Sequence, residues 1–194
     1  MSTNLDDATG ASSFTIDGAC PVCDYIAENV TPRDAVLTLR SFPTRWRNAL
    51  ALHLDDADPE AMLTGRTSPG GWSALDHAGH VRDVLHALDI RLQRVLREDD
   101  PVLPATHVTP PAGANEQGPA VVLAALSVST DQLSQTIELV PFVAWGRRAR
   151  RAGTTVSALD LVREAVHEGS HHLRLAGLTL AELRTTRAPA APAL

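Results

Sequence analysis

The chain has 194 residues, of which 44% are hydrophobic and only 4% aromatic, and a formal net charge of -6 in which all 17 basic residues are Arg. That length fits a single core, and its Leu, Val and Ala suit packed helices better than a β-sandwich. An acidic chain with pI near 5.7 lacks the basic face of a phosphate-driven nucleic-acid binder, and no apolar run of about 18 residues offers a membrane span.

Residues 1–29 are polar and weakly periodic, without the charged-then-apolar order of a secretory leader, so a cytoplasmic protein with an N-terminal lead-in is expected. The lead-in carries the only cysteines, in the cluster Cys20-Pro-Val-Cys23. A single C-x-x-C excludes a disulfide scaffold and has the spacing of half a zinc site. His77 or His107 could complete it, and a redox pair is equally compatible.

Thr31-Pro32 then supplies a cap and a first-turn proline for a helix marked by Val36, Leu39, Trp46 and Leu50, which Pro43 should kink or split. Residues 55–71 read as a long connection. Ser73 caps a second helix reaching about Arg97, with Asp76 in its first turn and an apolar stripe through Ala78, Val81, Leu85, Leu88 and Leu92.

A proline-rich crossover over 101–119 precedes a third helix, from Pro119 to about Val140. The Arg147–Arg151 cluster reads as a solvated loop, with an anionic substrate at a cleft mouth as its alternative use. Thr154 and Thr155 are candidate caps for a fourth helix from Val156 to about Ala176, where Gly177 is the expected stop. No strand pattern or repeat stands out. The expected organisation is therefore an all-α four-helix bundle over 30–184, with a long crossover connection and a disordered Ala/Pro tail over 185–194.

His167-Glu168-Gly169-Ser170-His171 is an H-E-x-x-H segment on the fourth helix, and imidazoles at i and i+4 lie on one side of it, close enough to share an ion. A metzincin would place Gly and His where Arg174 and Gly177 stand, and Glu182 is the only acidic residue after Glu168. The third ligand must come from upstream. On the second helix His77 lies within the apolar stripe, His80 at its edge and His86 well away, which leaves His77 and His80 in competition.

Two segments, Trp72-Ser-Ala-Leu-Asp-His-Ala-Gly-His80-Val-Arg-Asp-Val-Leu85 and His167-Glu-Gly-Ser-His171-His-Leu, together resemble the DinB-like superfamily, over roughly 20–178. That group includes metal-dependent thiol transferases and mycothiol-dependent maleylpyruvate isomerases. The resemblance implies that His80, His167 and His171 bind one divalent metal, with zinc first and nickel or iron as alternatives.

Three protein ligands leave an open position, the mark of a catalytic site. The expected function is transfer or isomerisation of a small electrophilic substrate with a low-molecular-weight thiol such as mycothiol. A non-catalytic metal-binding or stress-response bundle, dimeric through an exposed helix face, is the alternative, and a metal-dependent hydrolase a weaker one. Glu168 is a candidate catalytic base, although its place about 100° around the helix suits a solvent-facing side chain equally. Trp72 and Trp145 read as core anchors.

Overall fold

The computed structural model describes residues 18–51, 58–105 and 113–187. His53 and His107 lie outside the described residues. The helices in chain order are α1 (Pro32–Ala51), the short α2 (Pro59–Thr64), α3 (Ala74–Arg97), the short α4 (Ala114–Gln117), α5 (Pro119–Glu138) and α6 (Ala158–Arg187). The four long helices form a bundle in which α3 packs against both α5 and α6, and α1 closes the other side against the same two.

Three of the long helices start on the same sequence device, a Ser or Thr with Asp three residues on. Thr31 and Asp34, Ser73 and Asp76, and Ser157 and Asp160 each exchange side-chain-to-backbone hydrogen bonds that satisfy otherwise orphaned N–H groups. Ser157 therefore opens the last helix in place of the expected Thr154 or Thr155.

The end of that helix also differs from expectation. Gly177 does not stop it. The residue is exposed and the helix continues to Arg187 because Leu180 and Leu183, one and two turns on, are buried and hold the last turns to the core. Pro43 likewise lies inside α1 without ending it, on a helix held by buried Leu39, Phe42, Trp46 and Leu50.

The expectation of a purely helical chain needs one correction. Residues Val102–Leu103, Arg148–Arg151 and Thr154–Ser157 form a small sheet, β1 to β3, in which β1 runs parallel to β2 and β2 pairs antiparallel with β3. The strands are too short and too Arg-rich to show a hydrophobic alternation. Their turn is made by Ala152 and Gly153, both at positive φ, as a two-residue hairpin requires.

Three of the arginines expected in a solvated loop are thereby tied down. Arg147 donates to the carbonyls of Val95 and Glu98, Arg150 pairs with Asp100, and Arg151 pairs with the buried Glu164. Arg147 and Arg150 brace the C-terminal end of α3, about 27 Å along the helix from His80 at 1.5 Å per residue, whereas Arg151 reaches α6 one turn before Glu168. That distance does not fit an anionic-substrate role next to the histidines for Arg147 and Arg150, and Arg151 is already engaged by Glu164.

Gly169 sets how closely α1 and α6 approach. A Cβ built there would stand 2.1 Å from the Phe42 ring, so any side chain larger than hydrogen requires that buried ring or one of the two helices to shift.

Candidate metal centre

The histidines gather where the N-terminal half of α3 faces the middle of α6. The core stripe of α6 runs through Ala158, Leu161, Ala165, Glu168, His172, Ala176 and Leu180, at steps of three and four residues. Glu168 and His172 therefore point at α3, while His167 and His171, one residue earlier, turn about 100° towards the lead-in.

Two sets of donor atoms result, each with every atom within 4.8 Å of the others: His80, Glu168 and His172 in one, Cys20, Cys23, His167 and His171 in the other. The three residues that the sequence resemblance places on one ion are thus divided, with His80 in the first set and His167 and His171 in the second. His86 is exposed and takes no part.

In the first set both imidazoles aim Nε2 at the same carboxylate oxygen, Glu168 Oε2, at 3.2 Å from His80 and 3.4 Å from His172. Bonds of about 2.0–2.2 Å at the tetrahedral angle would place two N or O donors about 3.3 Å apart, so the spacing already suits a shared ion. All three side chains are 6% exposed or less.

His77 does not join the set but supports it. Its Nδ1 shares a hydrogen bond of 2.9 Å with Nδ1 of His172, which fixes the ring so that Nε2 faces Glu168. Such a partner on the far nitrogen is what orients a metal-binding imidazole. Burial, reinforced by neighbouring imidazoles, lowers the pKa of His77 to about 2. Burial also lowers His172 to about 4 against the opposing pull of Glu168. Both rings are neutral at pH 7, the form that ligates metal.

Trp72 covers the cluster, its ring centroid 5.2 Å from His77, 5.1 Å from His80 and 5.4 Å from His172, on which it stacks at 20°. It is an imidazole contact more than the core anchor expected from sequence. The loop that carries it is clamped by Arg66, which pairs with buried Asp76 at 2.8 Å and donates to the Gly71 carbonyl at 2.7 Å.

In the second set Cys20 Sγ lies 3.4 Å from Nδ1 of His171. His167 rests against Tyr25, whose hydroxyl donates to the Arg163 carbonyl at 2.8 Å. Burial lowers the pKa of His167 and His171 and pushes the Cys23 thiol up to about 11, with the neighbouring Cys20 adding to the rise and a backbone hydrogen bond at Tyr25 opposing it. The Cys23 side borders a groove of about 440 Å³ lined in part by Arg45, Ser170 and Arg174.

The family model described as the DinB superfamily matches residues 43–176 of this chain. The chain belongs to the DinB superfamily. Its fold is similar to that of YfiT from Bacillus subtilis, whose structure is described as "a probable metal-dependent hydrolase with an unusual four-helix bundle topology". The match has a TM-score of 0.64 and 16% identity, and covers 82% of this chain and 90% of that one. At that identity the likeness carries the fold alone. No curated protein matches this DinB-superfamily chain.

The missed residues of the first set are Glu168 as a donor and His172. Their signal was present in the small-residue stripe Ala158, Ala165 and Ala176, which marks a fully buried face of α6.

Proposed function

We propose that this chain is a metal-dependent enzyme whose centre is His80, Glu168 and His172, and whose co-substrate is a low-molecular-weight thiol of the mycothiol type. The convergence of two Nε2 atoms on one Glu168 oxygen, at 3.2 and 3.4 Å, carries the reading. Two imidazoles and one carboxylate suit zinc or ferrous iron and leave an open coordination position. A divalent ion bound there supplies positive charge that favours the deprotonated form of a thiol at neutral pH.

The chain's own residues do the rest. His80 and His172 present Nε2 to the Glu168 Oε2 in a buried pocket, and His77 holds the His172 ring in register. Trp72 excludes water from one side and offers a flat apolar wall to a small electrophile. With Glu168 engaged by both imidazoles it acts as a donor rather than as the general base expected of it, which favours a thiol over water as the nucleophile. Hydrolysis is the second reading, supported by the His-His-Glu donor set, which also serves zinc hydrolases.

The test measures metal content and thiol conjugation to a chromogenic aryl halide in wild type, His80→Ala, Glu168→Gln, His172→Ala and His86→Ala. The first three should lose one metal equivalent and at least about 100-fold in rate, in line with loss of a ligand, while His86→Ala keeps both. Conjugation unaffected in all three site variants would remove the centre from the chemistry. Thiol-independent ester cleavage that depends on the same three residues would replace transfer by hydrolysis.

A further inference from the structure

We propose that Cys20, Cys23, His167 and His171 form a second and separate metal site, which takes one zinc ion with four protein ligands and clasps the N-terminal segment to α6. The site is independent of the catalytic proposal, since it shares no ligand with His80, Glu168 and His172.

Donor chemistry and spacing agree. C-x-x-C from one segment and H-x-x-x-H from a helix are both spacings found in closed Cys2His2 zinc sites. All four donor atoms lie within 4.8 Å of one another, although the cysteines and histidines are more than 140 residues apart in sequence. The Cys20 Sγ to His171 Nδ1 distance is 3.4 Å, and a tetrahedral zinc with bonds of about 2.3 Å to sulfur and 2.05 Å to nitrogen would set that edge at about 3.6 Å.

The backbone around the cysteines is built as a tight hairpin. Cys20 N–H donates to the Tyr25 carbonyl and Asp24 N–H to the Cys20 carbonyl, both at 2.9 Å, with an isolated bridge between Ala19 and Ile26 just outside. Asp24 takes a φ of 57°, the left-handed position that lets the chain reverse directly after Cys23. The turn brings both sulfurs to the same side, facing α6.

The histidine half is equally fixed. His167 is buried against Tyr25, and Arg163, one turn earlier on α6, donates to the carbonyls of Val30 and Glu28. Apart from buried Ala27 and half-buried Val22, Tyr25 and Val30, the segment from Gly18 to Val30 offers little apolar surface. A segment with so small a share of the core is the kind that a structural metal holds in place. Both cysteines are free thiols. Zinc binding releases their two protons, so that two thiolates and two neutral imidazoles balance the ion's charge, with no oxidant needed.

The experiment uses the full-length protein grown with zinc as the only added metal. Wild type should hold two zinc ions per chain, one of which leaves only as a thiol-specific mercurial titrates two thiols. After cobalt exchange, a sulfur-to-cobalt charge-transfer band should appear. Cys20→Ser and Cys23→Ser should each lose that band and one equivalent, whereas His172→Ala loses the other equivalent and keeps the band.

The proposal is overturned if cobalt-loaded wild type shows no sulfur band, or if both thiols react freely with a disulfide reagent in zinc-loaded protein. The mercurial titration needs no variant, so poor folding of a cysteine mutant leaves the result decidable. One zinc that carries the band, with His172→Ala unchanged in metal content, sinks the catalytic centre and leaves this site standing.

Discussion

At the scale of single residues, the decisive fact is that Glu168 and His172 are one position later in the helix than the pair that the motif suggests. H-E-G-S-H is visible in sequence and E-G-S-H-H is equally present, but only packing against α3 tells which pair turns inward. Only the pair of family-like segments singled out His80, since periodicity could not rank His77 and His80, and both are buried. The buried neutral rings have a measurable consequence in metal-free protein. His77 and His172 have folded pKa values of about 2 and about 4, both below the ordinary 6.5. The unfolded chain therefore binds protons that the native state refuses, and stability is full above pH 6.5 and falls as pH drops through the window towards 4. Urea denaturation of chelated protein at pH 7 and pH 5 should show a loss on the order of 2 kcal/mol for each ring. His77→Gln, which titrates nowhere in that range, should flatten the dependence. An unchanged midpoint in wild type would show that these rings are charged in the fold.

At the scale of elements, the long helices were legible from their caps and stripes, and α3 was read almost to the residue because Ser73 and Asp76 announce it. The ends of α6 and the small sheet were not. A glycine need not stop a helix whose next turns are buried, as at Leu180 and Leu183, and four-residue strands rich in Arg and Thr carry no pattern to read. Gly169 shows how much an element pair can hang on one atom. Gly169→Ala should destabilise by about 1–3 kcal/mol, because the Phe42 ring occupies the space a methyl would take. Since the cost arises from that one contact, Gly169→Ala combined with Phe42→Leu should lose less than the sum of the single changes in urea midpoints. Strict additivity would place the strain elsewhere on α6.

At the scale of the molecule, the bundle does not depend on metal for its core, which spans all four long helices and is lined by fully buried Trp46, Phe42, Leu75, Leu88, Leu126 and Leu161. Chelation should leave helical circular dichroism intact while lowering the melting temperature. An ion present at about a thousand times its Kd contributes about 4 kcal/mol, or about 8–16 °C for a chain of this size. Collapse of the helical signal on chelation would mean that the ions nucleate the fold. The interleaving of donors on α6, with 167 and 171 on one face and 168 and 172 on the next, also bears on how such a chain can change over generations. Point substitutions can alter one donor set and spare the other. A single inserted residue upstream of His167 cannot, because it rotates the helix by about 100° and delivers the His167 and His171 imidazoles to the face that meets His80. One codon's insertion would thus trade a carboxylate-containing triad for three imidazoles and strand the two cysteines.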